Sequence, residues 1–484
     1  MMSRVQALAG RIGFAGGRRA LVIGALAVYT LASAAVFVHS FRSSASPTMG
    51  VALAVAMVLA PVLFVVALRM PLVFPFGLYV ALIPFDEVLL FSRGDSIPRL
   101  AAIVAAGGLL LNILLRKRLC APPQAWYTWG LFVGWATLSF FWSINVDATK
   151  SEFQTVLQLF LMMTVLAIYP AREREFKWML AIVVLSGVAT AVYTFFEATH
   201  GVRFSDTARV SIQSQSGAYV DPNFLSTSYL LAIAVATCAL NSVRSLAIRS
   251  GCIASIVVMC FGVFVTGSRG GFLALVAAML WIIWKSRYRF QLFVFSGLAL
   301  SASLFVPTVW ARFAKDPSQQ WSGSGRTDIW ATGLASVKSH LLLGSGFGSF
   351  PDVYNRGLYA VYQSVFQGIG RPSHSIVVGT LVEVGLIGLL LVLAAWFMSF
   401  RQLRMIARSS SLHPMRVAFE ATIIGLFFQS LFLDVYSIKY YWLAHSLVLT
   451  LANLAAQQRA ADVPQPARAA SGARAFGQAT AGGT

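Results

Sequence analysis

Apolar runs, most of them close to the twenty or so residues needed to cross a bilayer as a helix, recur along the chain with short polar stretches between them. They fall near 20–38, 50–68, 71–91, 99–115, 124–142, 153–169, 176–197, 223–241, 248–266, 271–284, 290–309, 375–399, 416–434 and 440–456. No internal repeat organises them. The longest interruption is 311–373. Within it, Ile329, Trp330, Leu334, Val337 and Leu341 recur at helical spacing, which predicts an amphipathic helix packed on the membrane-domain roof or lying in the interface. The pattern therefore predicts an all-α polytopic membrane protein with 12 to 14 transmembrane helices and one large helical loop. The lower count applies if the pieces around Pro61, Arg69, Pro71 and Pro75 form shorter or re-entrant segments.

Composition agrees, since 58% of residues are hydrophobic and only 11% charged, whereas soluble domains carry about a quarter charged residues. The net charge of +20 resides largely in short linkers, such as Arg116-Lys117-Arg118, Arg172 to Lys177, NSVRSLAIRS, KSRYR and RQLRMIARSSSLHPMR. By the positive-inside rule these linkers, with Arg4, Arg11, Arg18 and Arg19, face the cytoplasm and its anionic lipid headgroups. Membrane lipids are thus expected neighbours and nucleic acid is not. The resulting organisation is a cytoplasmic N-terminus at 1–19, helices over 20–310 with a short outside loop at 198–222, and a large outside loop at 311–373. Further helices follow over 374–456, then an Ala-, Gly- and Pro-rich tail at 457–484, expected to be disordered and cytoplasmic. Cys120, Cys238, Cys252 and Cys260 lack CxxC spacing, which suggests neither a disulfide framework nor a zinc site.

Several basic residues fall on the side where the charge rule disfavours them. Arg269 sits in the short outside turn TGSRGG, where it either snorkels to headgroups or binds an anion through its planar donor fork, with Gly270 and Gly271 letting backbone N–H groups approach. In ARVSIQSQSGAYVDPNF, Asp221-Pro222-Asn223 reads as a capped helix start, and Arg209, or less favourably Arg203, can reach the same region. GSGFGSF at 344–350 is not a nucleotide fingerprint and reads as a tight turn where backbone approaches backbone.

Six histidines are present, and His374 alone stands where the large loop meets a membrane helix, three residues after Arg371. Its titration range suits a base that takes a proton from a hydroxyl at neutral pH. No Walker A, HExxH or DxD motif occurs, so a reaction without metal or cofactor is expected, although Asp86-Glu87 keeps a metal or acid role open. Glu383 and Glu420 are the deepest carboxylates in predicted helices, fewer buried ionisable groups than a proton-coupled transporter usually carries.

Four pieces resemble the O-antigen ligase and O-antigen polymerase family: DPNFLSTSYL at 221–230, VTGSRGGFLAL at 265–275, GRTDIWATGLASVKSHLLLGSGFGSF at 325–350 and HSIVVGTLVEVGLIGLL at 374–390. The resemblance implies a Gram-negative inner-membrane enzyme of GT-C-like glycosyltransferase architecture with a periplasmic active site. It implies metal-independent, inverting transfer of a polysaccharide from undecaprenyl diphosphate to the lipid A core. In that scheme His374 activates the acceptor hydroxyl, while Arg269 and Arg326 hold the diphosphate with Arg209 in support. Arg203, Asp221, Asn223 and Arg371 complete the donor-binding set. Ser375 stands where the family often has Asn. One long outside loop late in the chain favours ligase over polymerase, and a transporter or flippase of lipid-linked sugar is the further alternative.

Overall fold

The structure, a computed structural model, describes residues 62–92, 95–204, 209–213, 219–240, 242–286, 289–290, 297, 325–358 and 368–462. The expected spans near 20–38 and 290–309, most of that at 50–68, and the tail beyond 462 lie outside the described residues. The chain divides into two compact units at Phe74 and Pro75. In the first, 62–69 is helical and closes on a turn in which Val73 and Phe74 donate to the Met70 carbonyl.

The second unit is helical apart from a small antiparallel ribbon, β1 (Leu90–Ser92) with β2 (Asp95–Ser96). Its helices are α1 (Phe76–Leu82), α2 (Ile97–Arg116), α3 (Gln124–Leu138), α4 (Val146–Ile168), α5 (Glu173–Thr199), α6 (Pro222–Leu240), α7 (Leu246–Thr266) and α8 (Arg269–Lys285). After the loop come α9 (Arg326–Ala335), α10 (Val337–His340), α11 (Phe350–Gly357), α12 (Ile376–Arg404), α13 (His413–Ser430) and α14 (Lys439–Asp462).

Six described helices, α2, α4, α5, α6, α7 and α12, are long and apolar enough to cross a membrane. The apolar run at 71–91 does not form one long helix. It holds the seven-residue α1 and a single 3-10 turn at Ile83–Phe85, where Pro84 removes a donor and stops the α-helix. Helices α13 and α14 fall short in apolarity for a physical reason. They lie inside the bundle and carry buried Arg416, Glu420, Gln429, His445 and Asn453 toward protein neighbours, where such groups are tolerated. Helix α6 is likewise central, 78% buried over its most apolar stretch, against 17% for α7 among the described residues. The main packing pairs are α8 with α13, α6 with α7 and α13, α3 with α12, and α4 with α14.

Helix α12 is broken at Gly385, whose φ of 71° and ψ of −171° are not helical. The backbone groups freed there find partners in the glycine turn. Ser345 N–H donates to Val382 O at 2.9 Å, Gly346 N–H to Glu383 O at 2.8 Å, and Leu386 N–H to Leu341 O at 2.8 Å. The Trp135 indole takes the Val384 carbonyl at 2.9 Å, and that of Trp142 takes Leu343 O at 3.0 Å. Irregular backbone of this kind persists in a membrane protein only when buried against protein. The expected approach of backbone to backbone is thus present: a Cβ on Gly344 or Gly385 would run into the main chain of the opposite segment.

Candidate active site

Helix α12 begins at a short, heavily tied segment. Ser375 caps it by accepting Val378 N–H. His374 stands just before the cap with φ of +50°, one of two non-glycine residues at positive φ among the described residues. A left-handed conformation costs a residue with a Cβ roughly 1–2 kcal/mol, so the neighbours must hold it there. Asp434, four residues past α13, does so: its Oδ2 accepts the His374 backbone N–H at 2.7 Å and its Oδ1 accepts the Ser373 hydroxyl. From the other side the Trp330 indole donates to Ser373 O at 2.8 Å. The imidazole Nδ1 lies 4.0 Å from Asp434 Oδ2, with the histidine side chain 28% exposed.

Helix α9 delivers the cation. Ile329 packs with Phe350, Val353, Tyr354 and Val382, flanked by Trp330 and Val337. The expected amphipathic face is rotated, because Leu334 and Leu341 are exposed whereas Thr332 and Gly333 are buried. Gly333 lies so near Phe350 that a Cβ there would sit 2.6 Å from its ring. Seated on α11 and α12, the helix presents half-buried Arg326 at its first position. Arg326 lies within electrostatic reach of Arg269, Asp221 and Asp434; burial, then Arg269, lowers its pKa, while Asp221 and Asp434 oppose the shift.

Arg326, Asp221 and Asp434 also act on His374. Burial holds its pKa below the ordinary histidine value; Asp434 opposes that shift, Arg326 adds to it, Asp221 opposes it and Arg371 adds to it. The shift favours the neutral ring, the form that can accept a proton.

The other sequence-derived candidates divide by what they touch. Arg269 opens α8, is exposed, and lies within the field of Arg326. Gly271 beside it serves packing, since its N–H is taken by Ser268 Oγ at 3.1 Å and a Cβ would strike Ser226. Asp221 caps α6, accepting Asn223 N–H at 2.7 Å, and also faces Arg326 and His374. Arg209 is buried and donates to Thr266 O at 3.2 Å and to Asn223 Oδ1 at 2.9 Å. Asn223 Oδ1 also accepts Ser268 Oγ–H at 2.8 Å. Arg209 and Asn223 thereby bind the start of α6 to the α7–α8 turn and set where Arg269 emerges. Arg203 donates to Ala198 O in the last turn of α5 and to Val202 O of its own loop. The deep carboxylates stand apart from His374. Glu383 accepts Phe350 N–H at 3.2 Å, and Glu420 accepts from Arg416 at 2.8 Å and Trp281 at 3.0 Å. Asp86, left open for a metal or acid role, is taken by Lys439 and Ser96.

Asp434 is absent from the sequence-derived set. Its only sequence signal is a carboxylate at the outer end of the 416–434 run, on the side predicted for His374 but sixty residues away.

The described architecture is that of a multi-pass helical membrane protein with a charged site at one end of its bundle. Residues 254–393, which hold Arg269, Arg326 and His374, match the family model described as O-Antigen ligase. A protein of Pseudomonas aeruginosa named O-antigen ligase is 25% identical over 317 residues, covering 62% of this chain and 71% of that protein. The chain thus carries an O-antigen ligase family domain. A solved chain from a peptidoglycan synthase complex aligns with 69% of this chain and 96% of its own length at TM-score 0.40 and 14% identity, too low to assign a shared fold.

Proposed function

We propose that this protein is an O-antigen ligase that transfers polysaccharide from undecaprenyl diphosphate to the lipid A core at the periplasmic face of the inner membrane. The observation that carries this reading is the gathering of Asp434, Arg326, Asp221 and Arg371 around a conformationally held His374, with Arg269 within the field of Arg326. A base beside a cluster of guanidinium groups fits a reaction that takes a proton from an alcohol while a diphosphate departs.

In the step proposed, His374 accepts the proton of an acceptor sugar hydroxyl as that oxygen forms a bond to the donor's anomeric carbon. The bond from that carbon to the diphosphate breaks, its electron pair leaves with undecaprenyl diphosphate, and attack from the opposite face inverts the centre. Arg326 and Arg269 stabilise the growing negative charge, and Arg371 adds positive potential near the ring. Asp434 orients His374 through the backbone and stabilises the imidazolium as it forms. No step requires a metal. The family assignment of residues 254–393 supports ligation over transport.

The test is incubation of the purified full chain with polyprenyl-diphosphate glycan and lipid A core, without nucleotide or added metal. A glycan–lipid A conjugate is expected. Carrier-linked glycan of greater length would overturn ligase in favour of polymerase, and no covalent product would overturn both.

A further inference from the structure

A second cationic feature lies at the other end of the bundle. Helix α8 runs from Arg269, at the site, to Lys285, and α13 runs back from His413 toward Asp434. At 1.5 Å per residue each helix extends roughly 25 Å, so Lys285 and His413 lie most of a bilayer core away from His374. Between these ends is a cavity of about 250 Å³ lined by Trp284, Lys285, Arg408, His413, Arg416 and Glu420, among others.

Its charges are unbalanced. Glu420 is fully buried, and its oxygens are taken by Arg416 and Trp281. Arg416 also donates to Ile406 O. Lys285 lies 4.7 Å from the centre of the Trp281 ring, and among the described residues neither it nor Arg408 forms an ion pair with a carboxylate. Helix α13 begins here without a side-chain cap, which adds the positive end of its dipole. The volume is below the 300–1,000 Å³ typical of sites that enclose a drug-sized molecule, enough for a headgroup and not for acyl chains. Trp284, 75% exposed, stands beside it as interfacial tryptophans do.

We propose that this cavity binds the phosphate of an anionic phospholipid headgroup, with Lys285 and Arg408 as its ligands and the acyl chains passing outward along Trp284. An ammonium and a planar guanidinium fork suit phosphate oxygens. The lipid braces α8 against α13, the helices whose far ends carry Arg269 and lead into Asp434. Inorganic phosphate shares the headgroup's charge but brings no chain to lie on the tryptophan.

The test is lipid binding to the purified full chain in neutral detergent by native mass spectrometry. Phosphatidylglycerol, phosphatidylcholine and inorganic phosphate are compared on the wild type, Lys285→Ala/Arg408→Ala, Arg408→Ala alone, and the control Arg401→Ala/Arg404→Ala. Phosphatidylglycerol is expected to bind the wild type in preference to phosphatidylcholine. Its affinity should be roughly thirtyfold weaker in the double variant and about fivefold weaker in Arg408→Ala, which alters one exposed side chain, and unchanged in the control. Equal binding in the variants, equal loss in the control pair, no preference over phosphatidylcholine, or displacement by millimolar inorganic phosphate would each overturn the proposal.

Discussion

His374 occupies a backbone conformation that asparagine or glycine adopts more easily, and Asp434, Ser373 and Trp330 keep it there. Such strain persists only where the surroundings over-determine it, and it clusters at functional sites. His374→Ala should leave folding intact and reduce ligation about a hundredfold or more, measured by conjugate formation. Because the neutral ring is the active form and its pKa is lowered, chiefly by burial, activity should fall only as pH drops below the ordinary histidine value of about 6.5. Asp434→Asn should slow turnover. It should also move that acid limb to still lower pH, because the carboxylate that favours the protonated ring is gone; a merely structural role for Asp434 would leave the limb in place. Arg326→Lys keeps the charge and loses the planar fork, so ligation should drop while the melting temperature in detergent holds.

At the scale of elements, the site depends on the break in α12 and on the glycine turn that fills it. Val382, Glu383 and Val384 carbonyls would be orphaned in a broken membrane helix, and they are satisfied by Ser345, Gly346 and Trp135. Gly385→Ala would put a Cβ into the Leu342–Leu343 backbone at a φ of 71°. The expected cost is about 2 kcal/mol or more, seen as a lower melting temperature together with lost ligation, since the first half of α12 follows directly on His374 and its cap. The glycine run was legible as a close-approach turn, because glycine tolerates positive φ and admits neighbouring backbone. Its partner was not legible: Gly385 lies inside an apolar run whose composition looks continuous, and only packing against 341–346 makes the break favourable.

Across the second unit, α8 and α13 run antiparallel between two charged ends, Arg269 and Asp434 at one and Lys285 and Arg408 at the other. By charge asymmetry the basic linkers are expected to put the second end inside, the topology proposed above. In a cysteine-free background, a membrane-impermeant maleimide should therefore label Ser437→Cys in intact inner-membrane-exposed spheroplasts. Ser409→Cys should react only after permeabilisation, and the reverse pattern would invert the proposed topology. Both positions are exposed.

The sequence by itself determined the solvent. Long apolar runs with basic linkers cannot be accommodated in water, and a membrane requires their backbone to be helical. It also marked His374, Arg326, Arg269 and Asp221, because each lies at a helix start or in a turn where local chemistry is visible. Tertiary structure alone decided which of them meet. Asp434 reaches His374 from sixty residues away, and Arg209 and Asn223 are drawn into bracing the α6–α8 junction. The polar helices α13 and α14 take the centre of the bundle. Periodicity reports how one helix faces its surroundings; which charge stands beside which depends on how helices distant in sequence pack together.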